Sequence, residues 1–264
     1  MNKPRIAFIS HGGGPLPLLG DEQHRDLVSN LQIIADRVGT PAAILVISAH
    51  WEETEITLTN AANPELIYDY YGFPEESYCI QYPAPGSPEL ADKIATLLQS
   101  NHLSSKLDPS RGFDHGLFVP LTIMYPEATI PCVQLSLLKS LDARHHIEIG
   151  KSLAPLIKDD VLIVGSGFSF HNLRAFVGVG SEHDQQNNHA FEAWLQNTLS
   201  SQQLSEAQRE QALSDWAQAP GARFCHPREE HLLPLHVCYG AAGTVALEVF
   251  NFTVMGKSAS AYLW

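Results

Sequence analysis

Short runs made almost wholly of Val, Ile, Leu and Ala recur along the chain, and longer segments with helical periodicity lie between them. The clearest runs are Ile6–Ser10, Ala43–Ser48, Pro131–Leu135 and Val161–Gly165, with a later one at Ala246–Val254. A strand that is apolar on both sides of its pleat must be covered on both faces, as strands of parallel sheets are. Helices are predicted at about Glu22–Val38, Pro88–Gln99, His145–Ile157, His189–Ser200, Ser205–Gln218 and Glu229–Gly240. Ser87-Pro88 gives the second of these a capping serine and a first-turn proline. The alternation predicts an α/β fold with a central, largely parallel sheet flanked by helices. No repeat, low-complexity tract or linker divides residues 1–264, so a single catalytic domain is expected. The segment Asn60–Gly86, rich in Tyr, Pro and Gly, lacks periodicity. Long irregular loops in compact domains are often functional.

The residues at the ends of these runs point to chemistry. Ile6–Ser10 leads into His11-Gly-Gly-Gly, Ala43–Ser48 into Ala49-His50-Trp51-Glu52, and Val161–Gly165 into Gly167-Phe-Ser-Phe-His171-Asn. Ligands of open α/β sheets bind beyond the carboxyl ends of the strands, so a metal site is expected at that edge. A fourth segment, His226-Pro-Arg-Glu-Glu-His231-Leu-Leu-Pro-Leu-His236, would bring His231 or Glu230 into the same crevice from the start of a helix. Imidazole and carboxylate ligands on one face of a metal, with positions left open, suit iron(II) oxygen chemistry. His115, in Arg111-Gly-Phe-Asp-His115-Gly, reads equally as a turn cap with Asp114 or as a pocket residue. Trp51 reads as packing beside a ligand. His24, His102, His145, His146, His183 and His189 have polar neighbours and read as solvated.

Other classes fit less well. The formal charge of -13 opposes binding to nucleic acid or anionic lipid. No apolar run approaches the roughly 18 residues of a membrane span, and the first is too short for a signal-peptide core. A cytoplasmic protein is therefore expected. Cys79, Cys132, Cys225 and Cys238 form no C-x-x-C pair and read as reduced, mostly buried thiols. HGGG also occurs in the oxyanion loops of esterases, but that chemistry needs a G-x-S-x-G elbow. The nearest match, Gly167-Phe-Ser169-Phe-His171, ends in His. H-E-x-x-H is absent too. A metal-dependent or serine hydrolase is thus the second reading, and a non-catalytic small-molecule binder the third.

Several segments together carry a family resemblance: FISHGGGPLPLLGD (8–21), VISAHWE (46–52), YDYYGFPEESYCIQYPAPGSPELA (68–91), RGFDHGLFVPL (111–121), PCVQLSL (131–137), GSGFSFHNLR (165–174) and HPREEHLLPLH (226–236). In this order, the chain resembles the class III extradiol ring-cleaving dioxygenases, specifically the 4,5-DOPA extradiol dioxygenase branch. The resemblance implies a non-haem iron(II) enzyme that cleaves a DOPA-like or related catechol with O₂ to a muconic semialdehyde-type product. Zinc is a metal such a site would also take up. It implies metal ligands at His11, His50 and His231, with Glu230 the alternative third ligand and His171 a further position able to reach the metal. It implies His171 as acid/base and His115 as a second pocket histidine. Tyr68, Tyr70, Tyr71, Phe73 and Tyr82 are the candidates to line the ring pocket. The partners implied are a small aromatic diol and O₂; a homodimer and a monomer stay equally open.

Overall fold

The structure is a computed structural model and describes residues 3–176 and 181–264. Its strands are β1 (Ile6–Ser10), β2 (Ala43–Glu53), β3 (Ile56–Thr59), β4 (Leu66–Ile67), β5 (Ser105–Asp108), β6 (Phe113–Asp114), β7 (Cys132–Leu138), β8 (Val161–Gly167), β9 (Glu248–Val254) and β10 (Lys257–Leu263). Among the described residues, one large sheet has the order β5-β3-β7-β2-β8-β1-β10-β9, and β4 pairs with β6 apart from it. Its centre, β7-β2-β8-β1, is parallel throughout. The flanks are not: β3 meets β7 antiparallel, and β10 meets both β1 and β9 antiparallel. The α/β expectation therefore holds, with antiparallel joins at both ends of a parallel core. The central strands coincide with the apolar runs. The flanking strands ITLT, SKLD and KSASAYL are short or built of small and polar residues, so continuous apolarity does not mark them.

Helices cover both faces: α1 (Arg25–Val38), α2 (Pro88–Ser100), α3 (His115–Met124), α4 (Ala143–Leu153), α5 (Leu173–Phe176), α6 (Glu182–Ser200), α7 (Glu206–Ser214), α8 (Ala222–Cys225) and α9 (Leu233–Ala242). Alternate strand residues feed two cores. Ile6, Phe8, Leu45, Ile47 and Ile163 pack with apolar residues of α2, α4, α6, α7 and α9. Ala7, Ile9, Ile44, Val46, Leu162 and Val164 face α1, α3 and the tyrosine-rich segment. No described helix is long and apolar enough to cross a membrane.

Two boundaries differ instructively. α6 begins at Glu182, well before the predicted His189, because a Ser181/Asp184 capping box starts a polar first turn that has no apolar stripe to betray it. α9 begins at Leu233 rather than Glu229; the residues before it form turns, which keeps His231 outside the helix.

Two histidines read as solvated are buried. His24 donates from Nδ1 to Asp21 Oδ2 (2.6 Å) and accepts at Nε2 from Gly13 N–H (3.0 Å). His146 accepts from Leu138 N–H at Nε2 (3.1 Å) and donates from Nδ1 to the Asp142 carbonyl (2.7 Å). Polar sequence neighbours on a helix occupy other faces, so they do not report which way a given imidazole points.

His146 must stay neutral to accept the Leu138 amide, and burial lowers its pKa from 6.5 to about 4. The unfolded chain takes up this proton near 6.5, while the fold resists it down to about 4, so stability present at neutral pH is lost as pH falls across that window. The loss amounts to roughly 3 kcal/mol. His226 and His236, also lowered by burial, add to it in the same direction. Urea denaturation between pH 7 and 4 is expected to show a steep decline that His146→Gln makes shallower. An unchanged slope in the variant would place the proton uptake elsewhere.

Candidate metal centre and active-site pocket

β1, β8 and β2 are neighbours in the sheet, and the histidines that follow or end them meet at one edge. His11 leaves β1, His50 lies near the end of β2 within a register shift between Ile47 and Glu52, and His171 follows β8. His115 opens α3, and His231 precedes α9. The His11 ring centroid is 4.7 Å from that of His50, 5.3 Å from His115 and 5.2 Å from His231. His171 stacks on His231 at 3.3 Å with 16° between the rings.

Local backbone makes this convergence feasible. Gly12, with φ +81°, turns the chain after His11; a Cβ there would lie 2.6 Å from Pro17 Cγ. Gly12→Ala is expected to cost about 2–4 kcal/mol in left-handed strain and overlap, read as a lower urea midpoint. Gly167 ends β8 where the His231 backbone crosses it: a Cβ would collide with the His231 carbonyl oxygen, which instead accepts from Phe168 N–H at 2.9 Å.

Hydrogen bonds at Nδ1 assign the protonated nitrogen of His11, His115 and His231. The Ser166 hydroxyl donates to the Gly116 carbonyl, so its oxygen is left to accept from His11 Nδ1–H at 3.1 Å. His231 Nδ1–H donates to Glu230 Oε1 at 3.0 Å, and His171 Nδ1 lies 3.2 Å from the same oxygen. His115 Nδ1–H donates to Asp69 Oδ1 at 2.8 Å; His50 Nδ1 is 3.7 Å from Asp69 Oδ2. With their Nδ1–H groups on these acceptors, the Nε2 atoms of His11 and His231 carry lone pairs, whereas 3.7 Å is beyond a hydrogen bond for His50 Nδ1. The Nε2 atoms of His11 and His50 face each other across 2.9 Å. Candidate ligand atoms of these three residues all lie within 4.8 Å of one another. Two neighbouring groups, His50/Asp69/His115 and His171/Glu230/His231, are equally close-set.

The electrostatics keep protons out. Burial first, and the surrounding imidazoles second, hold His11 and His50 well below 6.5 and His231 at about 3. Glu230 is pushed up by burial, but its hydrogen bonds with His171 and His231 outweigh that, and the net direction is downward. Asp69 behaves alike, with His115 outweighing burial. Buried Asp114 is pushed up by burial and by the Asp69 carboxylate. It does not cap α3 with its side chain; it accepts from Ser48 Oγ (2.8 Å), from Arg111 (3.0 Å) and from Gln134. Arg111 in turn lies over the buried Trp51 ring at 4.3 Å.

Above the histidines is a cavity of ≈ 520 Å³ that includes Tyr70, Tyr71 and Phe73 in its wall. Tyr68 and Tyr82 do not line it. The Tyr68 hydroxyl donates to the Ile80 carbonyl (2.5 Å) and that of Tyr82 to the Tyr125 carbonyl (3.2 Å), so both pin the loop instead.

Residues 6–263 match the family model described as the catalytic LigB subunit of aromatic ring-opening dioxygenase. The chain belongs to this family. Over 251 residues it is 42% identical to the dioxygenase tasH of Hapsidospora irregularis, covering 90% of this chain and 78% of that one. It is 39% identical to a 4,5-DOPA dioxygenase extradiol of Beta vulgaris, covering 89% and 86% of the two chains. A crystal structure of an uncharacterised Escherichia coli K12 protein, JW3007, superposes with a TM-score of 0.78 at 30% identity over 99% of both chains.

Membership in the extradiol ring-cleaving dioxygenases agrees with what the structure does to the hydrolase reading. Ser169, the one serine in an elbow-like sequence, is buried and accepts from Ser260 N–H (2.9 Å) beside Glu192, away from the histidine cluster that would have to supply its base. Two site residues escape the sequence reading. Asp69 sits in the aperiodic tyrosine-rich loop, and its only signal is a lone acid between Tyr68 and Tyr70. Ser166 looks like an ordinary strand residue of β8.

Proposed function

We propose that this chain opens the ring of a catechol with O₂, giving a muconic semialdehyde-type product, with iron(II) held by His11, His50 and His231. The observation that carries this reading is the convergence of His11, His50 and His231, with candidate ligand atoms within 4.8 Å of one another, at an aromatic-walled cavity. Two Nε2 atoms 2.9 Å apart are spaced so that both can turn to one metal ion, and an imidazole set suits a first-row divalent metal. Glu230 lies behind His231 as its hydrogen-bond acceptor, which favours His231 over Glu230 as the third ligand. Iron(II) in this set would supply the electron transfer that lets O₂ react with an aromatic ring. A bound metal's other coordination positions are left to substrate by a three-residue set.

The protein's own part is positioning and proton transfer. His171 and His115 line the cavity, and each has its Nδ1 at a carboxylate, so each has a free Nε2 to exchange protons. His171 takes a proton from a catechol hydroxyl and returns one as the ring opens; His115 is a second donor. Tyr70, Tyr71 and Phe73 bound the space for the ring.

Asp69 fixes the two rings on its side of the site: its Oδ1 accepts from both the backbone N–H (3.0 Å) and Nδ1–H of His115, and its Oδ2 faces His50. Asp69→Asn would remove the carboxylate charge behind His115 and turn an amide N–H₂ toward His50 when its oxygen stays on His115. It is expected to lower kcat by about 10–100-fold, with KM changed little. Unaltered kcat would remove Asp69 from the positioning of the site.

The direct test is anaerobic loading with Fe(II), followed by oxygen-electrode and absorbance assays on a catechol panel. One O₂ consumed per catechol, with a new yellow chromophore, is the expected result. No uptake with any catechol at one iron bound per chain would overturn the proposal.

A further inference from the structure

We infer that the substrate carries an uncharged, apolar substituent on its catechol ring, and that Leu173, Phe176 and Met255 select it. This rests on the ring-cleavage reading above. Apart from the histidines, the wall is mostly apolar or aromatic, with Tyr70, Phe73, Phe168, Leu173, Phe176 and Met255 in it and no Lys, Arg or carboxylate among the described lining residues. The five histidines make part of the wall, and ≈ 520 Å³ is more room than a bare diol requires. The rim is apolar too. Tyr71 is 91% and Leu173 65% exposed, and both are among the few large hydrophobic side chains that the described surface leaves in water. Apolar groups held in solvent at the mouth of a cavity gain by covering a ligand's apolar tail.

A carboxylate-bearing catechol would be poorly served. Entering this wall, its anion would lose water without meeting a cation. The net charge of -13 opposes an anion on approach, and no local cation in the cavity reverses that field. Arg174 and Arg228 line a separate cleft on the other side of His171 and Leu173, shared with Glu230. Arg228 is engaged there by Glu52 (2.7 Å) and Glu230 (3.2 Å).

The test compares 4-methylcatechol, 4-propylcatechol and 3-(3,4-dihydroxyphenyl)propionate on the Fe(II)-loaded enzyme, with anaerobic calorimetric affinities alongside kcat/KM. Propyl and propionate chains are nearly equal in length and differ in charge. Expected is a rise in kcat/KM and affinity of about 4-fold per added methylene, and a preference for propyl over propionate of about 10²-fold. Leu173→Arg, at an exposed position that tolerates a charge, is expected to shift that ratio toward the propionate by about 10-fold. Equal or better use of the propionate by the unaltered enzyme, or no rise along the alkyl series, would overturn the inference and leave ring cleavage standing. Failure of every catechol would overturn ring cleavage itself, and this inference with it.

Discussion

His11→Ala is expected to yield a folded chain that retains no divalent metal and consumes no O₂ with any catechol. His11 has three other imidazoles around it and its own Nδ1 tied to Ser166. Removing it leaves only His50 and His231 of the triad, with ring centroids 5.0 Å apart, and two ligands do not complete one face of a metal. Since a bound metal supplies several kcal/mol to the reaction, the loss in turnover is on the order of 10³-fold or more. Folding without metal need not suffer, because burial already keeps these imidazoles neutral. The distinguishing readout is the metal-induced gain in thermal stability. At a thousandfold excess over the dissociation constant, binding adds about 4 kcal/mol, and the variant is expected to lose that gain. One metal per chain in His11→Ala, with the stabilisation intact, would show that this triad is not where metal binds.

How far the sequence leads to this site depends on which residues strand geometry announces. His11, His50 and His171 are legible because they follow apolar runs, and a parallel core must place the ends of such runs at a common edge. His231 is legible as a candidate but not in its geometry. Its presentation depends on α9 starting two residues after it and on its carbonyl being held by Phe168, a contact between distant parts of the chain. Asp69 is invisible to periodicity, since it acts on His115 across 46 positions from an irregular loop. The same loop shows the limit of composition. Its aromatic content says that rings will be buried, yet Tyr68, Tyr70 and Tyr82 all direct their hydroxyls to backbone carbonyls and only Tyr70 of the three also lines the cavity. The β9–β10 hairpin is half legible for a related reason: KSASAYL packs small side chains against β1, and small residues carry little hydrophobic signal even when fully buried.

His171→Ala is expected to lower turnover by about 10²–10⁴-fold while one metal per chain remains. The geometry separates His171 from the three convergent residues although it touches one of them. It lies flat against His231, and flat stacking turns ring faces toward each other, whereas metal binding requires lone pairs in the ring planes to converge. A single oxygen, Glu230 Oε1, meets Nδ1 of both rings, so the same carboxylate that orients His231 also orients His171 over the cavity. Loss of the His171 imidazole should therefore appear in kcat more than in KM. Added imidazole should recover part of the rate, because the missing function is proton transfer and the space it occupied opens to the cavity. The competing assignment is physical and specific: His171, Glu230 and His231 are themselves close enough to hold an ion. Metal lost together with activity in His171→Ala, and not restored by excess Fe(II), would assign His171 to the metal. Metal retained with a collapsed, imidazole-rescued kcat would assign it to the proton, and would explain why the fold commits a half-buried carboxylate to holding two stacked histidines rather than to binding the metal directly.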